Sequence, residues 1–271
     1  GDVYTRQVQW NSHPEALGSK NDQVTADFPW ATVETLKERY QCPIAYFTGA
    51  VGGLMAPPAG PTTFEYAREH GVEVAGLAVK AVEAAEPVAL SPIAISAQRV
   101  YLPVANKMYR TARALGVLKR PGLEWTGDPT ERGESLANKK AGTPMAVETE
   151  ICSLRLGEVI LAGIPGEIYP ELVYGKFQEP AEPNVDYPDA PLEPTVVDIL
   201  PTKRWLLIGL ANDEIGYIIP KRQWDQKKPY AYGRDKSQYG EINSCGPEVA
   251  PILMEALERC VAALPGSAKE P

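Results

Sequence analysis

Residues 146–167 read Ala146-Val147-Glu148-Thr149-Glu150-Ile151-Cys152-Ser153-Leu154-Arg155-Leu156, then Gly157, then Glu158-Val159-Ile160-Leu161-Ala162-Gly163-Ile164-Pro165-Gly166-Glu167. Two runs rich in β-branched and aliphatic residues, 146–156 and 158–164, meet at a single glycine, the pattern of a tight β-hairpin. The second run stops at Pro165-Gly166, and a carboxylate follows where residues 166–177 read as a short helix. Strand ends are where α/β proteins gather active-site groups. A carboxylate beside a helix N-terminus is also explained by the helix dipole alone.

Working outward, residues 205–210 and 216–219 read as strands, and 43–48 as a compact buried strand. Ile93, Ile95, Val100 and Leu102 alternate with more polar neighbours, again as in strands. Helices are expected over 31–40 and 107–115. Another is expected from a capping box at Thr62 and Glu65 to about Glu86, with Phe64, Ala67, Val74, Ala78 and Val82 at helical spacing. Gly246-Pro247 opens a last helix whose apolar face is Val249, Ile252, Leu253, Ala256, Leu257 and Cys260. Residues 121–144 form a long polar excursion, and 179–201 a proline-studded surface crossing read as an internal loop. The expected fold class is therefore α/β (α+β), with mixed β-sheets flanked by helices, in one domain over residues 1–271.

Composition bounds the function. The chain has 271 residues, 44% apolar and 23% charged, with a formal net charge of -8. That balance argues against a nucleic-acid or anionic-membrane surface. No apolar run approaches the ~20 residues of a membrane span, and no signal-peptide pattern is present. The chain opens with Gly-Asp rather than Met, so a segment upstream is expected to have been removed or left out. Cys42, Cys152, Cys245 and Cys260 form no C-x-x-C pair, which leaves either two disulfides or four buried thiols.

There are only two histidines. A metal site here would draw its other ligands from carboxylates, phenols or groups outside the chain. His13 stands in Gln9-Trp10-Asn11-Ser12-His13-Pro14-Glu15; it reads either as a turn histidine bonded to backbone or as a metal ligand or general base. Asp27 reads as a turn former that could also orient a histidine. His70, on the long helix, reads as structural or solvent-facing. A glycine-rich loop, Gly49 to Pro58, lets the backbone approach a ligand or another strand. Tyr217, after Leu210-Ala211-Asn212-Asp213-Glu214-Ile215-Gly216, is either packed on a sheet face or presented to a site. Tyr239 to Pro247 delivers polar groups to the mouth of the last helix, where developing negative charge is favoured.

Taken in order, these segments resemble the neutral/alkaline (non-lysosomal) ceramidase family. Asn11-Ser12-His13-Pro14 resembles the family's Asn-Trp/Tyr-x-x-His segment, which supplies a zinc-binding histidine, and Ala26-Asp27 resembles the Ser-Asp that follows it. Residues 47–58 sit where the family has its Gly-Asp-Val-Ser-Pro-Asn loop. Ile164-Pro165-Gly166-Glu167 is similar to Val-Pro-Gly-Glu, whose glutamate ligates zinc. Asn212 to Tyr217 resembles Asn-x-Tyr-x-x-Tyr, whose last tyrosine completes the metal site. Tyr239 with Gly246-Pro247 is similar to Arg-Tyr…Gly-Pro, whose tyrosine lies at the active site.

The resemblance implies a ceramidase catalytic-domain-like fold holding Zn2+ on His13, Glu167 and Tyr217. It implies metal-activated water attacking the carbonyl of an amide or ester, in a small-molecule or lipid amide substrate, with Tyr239 catalytic. It slightly favours a secreted or periplasmic location. Two departures qualify it. The family's first zinc histidine, in a His-x-His motif, has no counterpart here, so an N-terminal segment or another chain of the same protein is expected to complete the site. Where the family has its active-site serine, this chain reads Gly52-Gly53-Leu54-Met55, and a thioether neither donates a proton nor attacks a carbonyl. The family's C-terminal immunoglobulin-like domain has no counterpart either. The rival reading is a non-catalytic lipid- or glycan-binding or assembly domain. A metal-free hydrolase using Ser244 lacks a second histidine placed to activate it.

Overall fold

The computed structural model describes residues 6–140 and 142–265. In chain order the elements are β1 (Arg6–Trp10), α1 (Phe28–Tyr40), β2 (Ile44–Thr48), α2 (Phe64–Glu83), β3 (Ile93–Pro103), α3 (Lys107–Ala114), β4 (Leu123–Glu124), β5 (Met145–Leu156) and β6 (Val159–Gly163). They continue with β7 (Glu167–Ile168), α4 (Pro170–Tyr174), α5 (Val196–Ile199), β8 (Trp205–Ile208), β9 (Tyr217–Ile218), α6 (Tyr239–Ile242) and α7 (Val249–Ala262). This is the expected mixed α/β architecture.

The central sheet runs β3-β5-β6-β8, with β4 also on β5. The hairpin read from the sequence is there: β5 and β6 pair antiparallel from Leu156↔Val159 to Cys152↔Gly163. β6 then pairs parallel with β8, Ile160↔Trp205 to Gly163↔Ile208, so the sheet is mixed. One face of it is sealed by α7. Val249, Leu253, Met254, Leu257 and Cys260 are buried with Val100, Leu102, Ile151, Ile160 and Leu207 in one core cluster. A second, smaller cluster joins α1 and α2 through Phe28, Ala67 and Val74, with Ala16, Leu17, Trp10 and Tyr46. β1 and β2 pair parallel, and the Gly209 N–H donates to the Thr48 carbonyl (2.8 Å), tying this pair to the end of β8.

Several local expectations shift. The long helix is capped by Thr63, whose hydroxyl accepts the Tyr66 N–H, so it starts at Phe64 rather than from a Thr62 box and ends at Glu83. β3 is a single strand whose apolar residues change face. Val100 and Leu102 meet α7, whereas Ile93 and Ile95 lie on the other face and are 72% and 70% exposed. The 179–201 crossing is not purely superficial, since Val185, Val196, Ile199 and Leu200 are buried. All four cysteines are free thiols. Among the described residues no helix is long and apolar enough to cross a membrane.

Candidate metal and active site

His13 sits in the loop leaving β1, and that loop is pinned from three sides. The His13 N–H donates to the Met55 carbonyl (2.8 Å). Asp27 accepts the N–H groups of Ala16 and Leu17 (3.0 Å each) and that of Phe28 (2.7 Å), so it both closes the loop after His13 and caps α1. Asn11 accepts the Ala50 N–H (2.9 Å) and donates to the Tyr174 hydroxyl (3.0 Å). The glycine-rich loop is thereby fixed to the His13 segment. It then packs on β7: the Gly52 N–H donates to the Ile168 carbonyl (2.9 Å), and a Cβ at Gly52 would lie 2.6 Å from the Glu167 carbonyl oxygen. Only glycine lets the two backbones approach so closely.

Glu167 does not begin a helix, as the sequence suggested. It lies on the two-residue strand β7, which pairs parallel with β9 in the register Glu167↔Tyr217 and Ile168↔Ile218. Directly paired residues point to one face, so carboxylate and phenol emerge side by side. The Glu167 N–H donates to Gly216 (3.1 Å) and the Tyr217 N–H to Asn243 (2.9 Å), so a third segment, just after α6, is stitched to the same place. Gly216 has φ +91°, and a Cβ there would lie 2.1 Å from the Asn243 oxygen.

His13 Nε2 and Glu167 Oε2 are 2.8 Å apart. Both atoms are buried, and neither makes a hydrogen bond of acceptable alignment. The pair is close in charge terms yet misdirected as a hydrogen bond. The Glu167 carboxylate holds the imidazole above its ordinary pKa against the opposing pull of burial, with smaller help from Glu15 and the Val51 backbone. Tyr217, 5% exposed, has its phenol pKa raised by burial first and then by the neighbouring Glu167. The Tyr239 ring meets Tyr217 edge-on (5.9 Å, 78°), and Tyr169 does the same from another side (6.3 Å, 88°). Tyr239 itself is 59% exposed.

The geometry thus brings His13, Glu167 and Tyr217 together, with Tyr239 at the edge. Among the described residues no three His, Cys, Asp or Glu side chains converge as a metal site. A three-ligand set here needs the phenol, or a donor from another segment. The two orphaned buried atoms suit a shared cation, and an N/O donor set with an open position is one that zinc accepts.

Glu167, Tyr217 and Tyr239 border a cavity of about 330 Å³ whose walls include Val104, Met145 and Ile215. Three of its groups escaped the sequence reading. Burial, with help from Glu167 and Asp213, pushes the Glu214 carboxyl up to about 7, although it accepts the Gly216 N–H (2.6 Å). Burial pushes the Tyr109 phenol up to about 12. Arg113 lines the same cavity. The Asp213-Glu214 pair was visible in a flagged segment, but not which carboxylate turns inward. Asp213 turns away, to Arg120 and the Thr149 hydroxyl.

The remaining candidates fall elsewhere. His70 is buried against Phe28 (4.7 Å, 71°), so it is structural and not solvent-facing. Ser244 is fully buried and accepts the Gly246 N–H (3.4 Å), which leaves no exposed nucleophile. Met55 engages His13 through its carbonyl oxygen.

No protein-family model and no curated protein sequence matches the chain. Solved structures do. One is the crystal structure of neutral ceramidase from Pseudomonas aeruginosa, with a TM-score of 0.55 and 14% identity, covering 93% of this chain and 42% of that one. Another, a ceramidase complexed with C2, has a TM-score of 0.55 and 12% identity, covering 98% and 47%. The chain spans less than half the length of either. At such identity the likeness is one of fold, and that fold, a mixed α/β arrangement of sheets flanked by helices, is ceramidase-like.

Proposed function

We propose that the chain carries a zinc-dependent hydrolase site acting on the carbonyl of an amide or ester. The observation that carries this reading is the convergence of His13 Nε2 and Glu167 Oε2, buried and without aligned partners, beside Tyr217 and a largely apolar cavity. The ceramidase titles of the similar structures support the same class and suggest a lipid amide as substrate.

In this reading His13, Glu167 and Tyr217 hold the ion, and a histidine from a preceding segment or another chain of the protein adds a fourth donor. Zinc, when bound, polarises the carbonyl and lowers the pKa of water towards ~7. Tyr239, exposed at the edge of the cavity, donates a hydrogen bond to the carbonyl oxygen as it gains negative charge. Glu214, on the same cavity and poised near neutrality, takes a proton from the attacking water and returns it to the leaving nitrogen or oxygen. A C–O bond forms, the C–N (or ester C–O) bond breaks, and Glu214 ends as it began. The pairing of Glu167 with Tyr217 in register on β7 and β9 holds the carboxylate and the phenol in a fixed relation to each other.

The test is turnover of a panel of N-acyl amides and matching esters by the zinc-loaded full-length protein. Chelation is expected to abolish turnover and zinc to restore it, and Tyr239→Phe to lower kcat by roughly 100-fold. The rival, a lipid- or glycan-binding or assembly domain, is favoured by Met55 at the family's serine position. Ligand binding with no turnover at any zinc concentration would select it.

A further inference from the structure

Arg113 lines the cavity and has no part in the hydrolysis proposed above. It stands on α3 four residues after Tyr109, so both project from one face of the helix, about 6 Å apart along its axis, and both line the cavity. α3 is anchored to the site. The Asn106 side chain caps it by accepting from Met108 and Tyr109 (2.9 and 3.1 Å), and its amide donates to the Ile242 and Ser244 carbonyls (2.8 Å each). The guanidinium lies flat over Gly122, where a Cβ would fall 2.5 Å from Nε and 2.7 Å from Cζ.

The Arg113 Nε is buried without a hydrogen-bond partner, and no ion pair is made to the guanidinium among the described residues. The neighbouring Arg120 differs, being held by both carboxylate oxygens of Asp213 and by the Glu148 carbonyl. The cavity wall is largely apolar, with Val104, Leu118, Met145 and Val147, and also carries the Glu167 and Glu214 carboxylates. A half-buried guanidinium in such a wall bears a desolvation cost unless a ligand supplies the anion. Its planar fork matches a carboxylate. The cavity, about 330 Å³, is at the small end of ligand sites. It suits a medium-length acyl chain with a charged end.

We propose that Arg113 determines specificity by binding a carboxylate, so that the substrates are amides or esters bearing a free carboxylate on either the amine or the acyl side. For its substrate this assignment rests on the hydrolase reading above; for its ligand chemistry it rests on the cavity alone.

The experiment is calorimetric binding to the full-length protein of N-octanoylglycine (carboxylate on the amine side) and N-butylsuberamic acid (carboxylate on the acyl side), each against its methyl ester. At least one acid is expected to bind roughly 10-fold or more tighter than its ester. Arg113→Gln should remove that preference without lowering the melting temperature of the unliganded protein. Arg113→Lys should retain part of it, and the acid that wins identifies the side. Equal affinity of acids and esters, a preference that survives in Arg113→Gln, or no binding at millimolar concentration overturns the proposal. Preference without turnover in the zinc-loaded protein keeps the carboxylate pocket and removes the hydrolase reading. Turnover of neutral amides with no preference does the reverse.

Discussion

Two inward-turned carboxylates, Glu167 and Glu241, show how differently burial acts on single residues. Glu167 has His13 and Tyr217 against it. Glu241 is 1% exposed, accepts the Asp225 N–H (3.2 Å), and leaves its other oxygen buried and unbonded. Burial, then the Asp225 charge, raises its pKa from 4.5 to about 7, with backbone hydrogen bonds and Arg234 opposing. A raised folded-state pKa means that the neutral form is favoured on folding. Its contribution is complete below the ordinary value and is lost as pH rises through about 7. Glu241→Gln removes that titration. Relative to the variant, the wild type is expected to lose on the order of 2–3 kcal/mol between pH 4.5 and pH 8. Thermal melts of both proteins across that range check it, and parallel profiles contradict it. At this scale the sequence was informative wherever a residue type is rare. His13 stood out among two histidines, and its order relative to Glu167 and Tyr217 followed the family. Glu214, Tyr109 and Arg113 were hidden because their types are common, and only the fold turns them inward.

At the scale of elements, the site depends on a very short strand pairing. β7 and β9 contribute two residues each, too few for any periodicity to register. That is why Glu167 read as a helix start. What holds this pairing is its neighbours: Gly52 against β7, and Asn243 against Gly216 and Tyr217. Gly216→Ala puts a Cβ at φ +91° and 2.1 Å from a carbonyl oxygen. The substitution should cost about 2 kcal/mol or more and reduce zinc affinity with it. Gly76→Ala is the control, since this exposed glycine of α2 has nothing within 4 Å of the added carbon and should gain roughly 0.5–1 kcal/mol from helix propensity. Denaturant midpoints with unchanged slopes check both; equal effects at the two positions contradict the account. Long elements were legible. The β5–β6 hairpin, α2 and α7 carry clear periodicity, whereas the change of face along β3 was not visible, because alternation in a strand names two faces and not which one is covered.

Across the whole molecule, the central sheet packs under α7, and the loops at the ends of β1, β2 and β6, with the short strands that follow, carry the candidate site residues. Fold class was readable from the mixture of strand and helix patterns; the convergence of residues 13, 167 and 217 was legible only through the family resemblance and not from local pattern, because it is made by parallel pairings across long stretches of chain. The central claim is that this convergence holds zinc. Equilibrium dialysis of the full-length protein at neutral pH, read by elemental analysis, tests it most directly. The account predicts one zinc per chain in the wild type, with loss of that zinc in His13→Ala and in Glu167→Gln while both variants stay folded. Full occupancy in the variants, or none in the wild type, would contradict it.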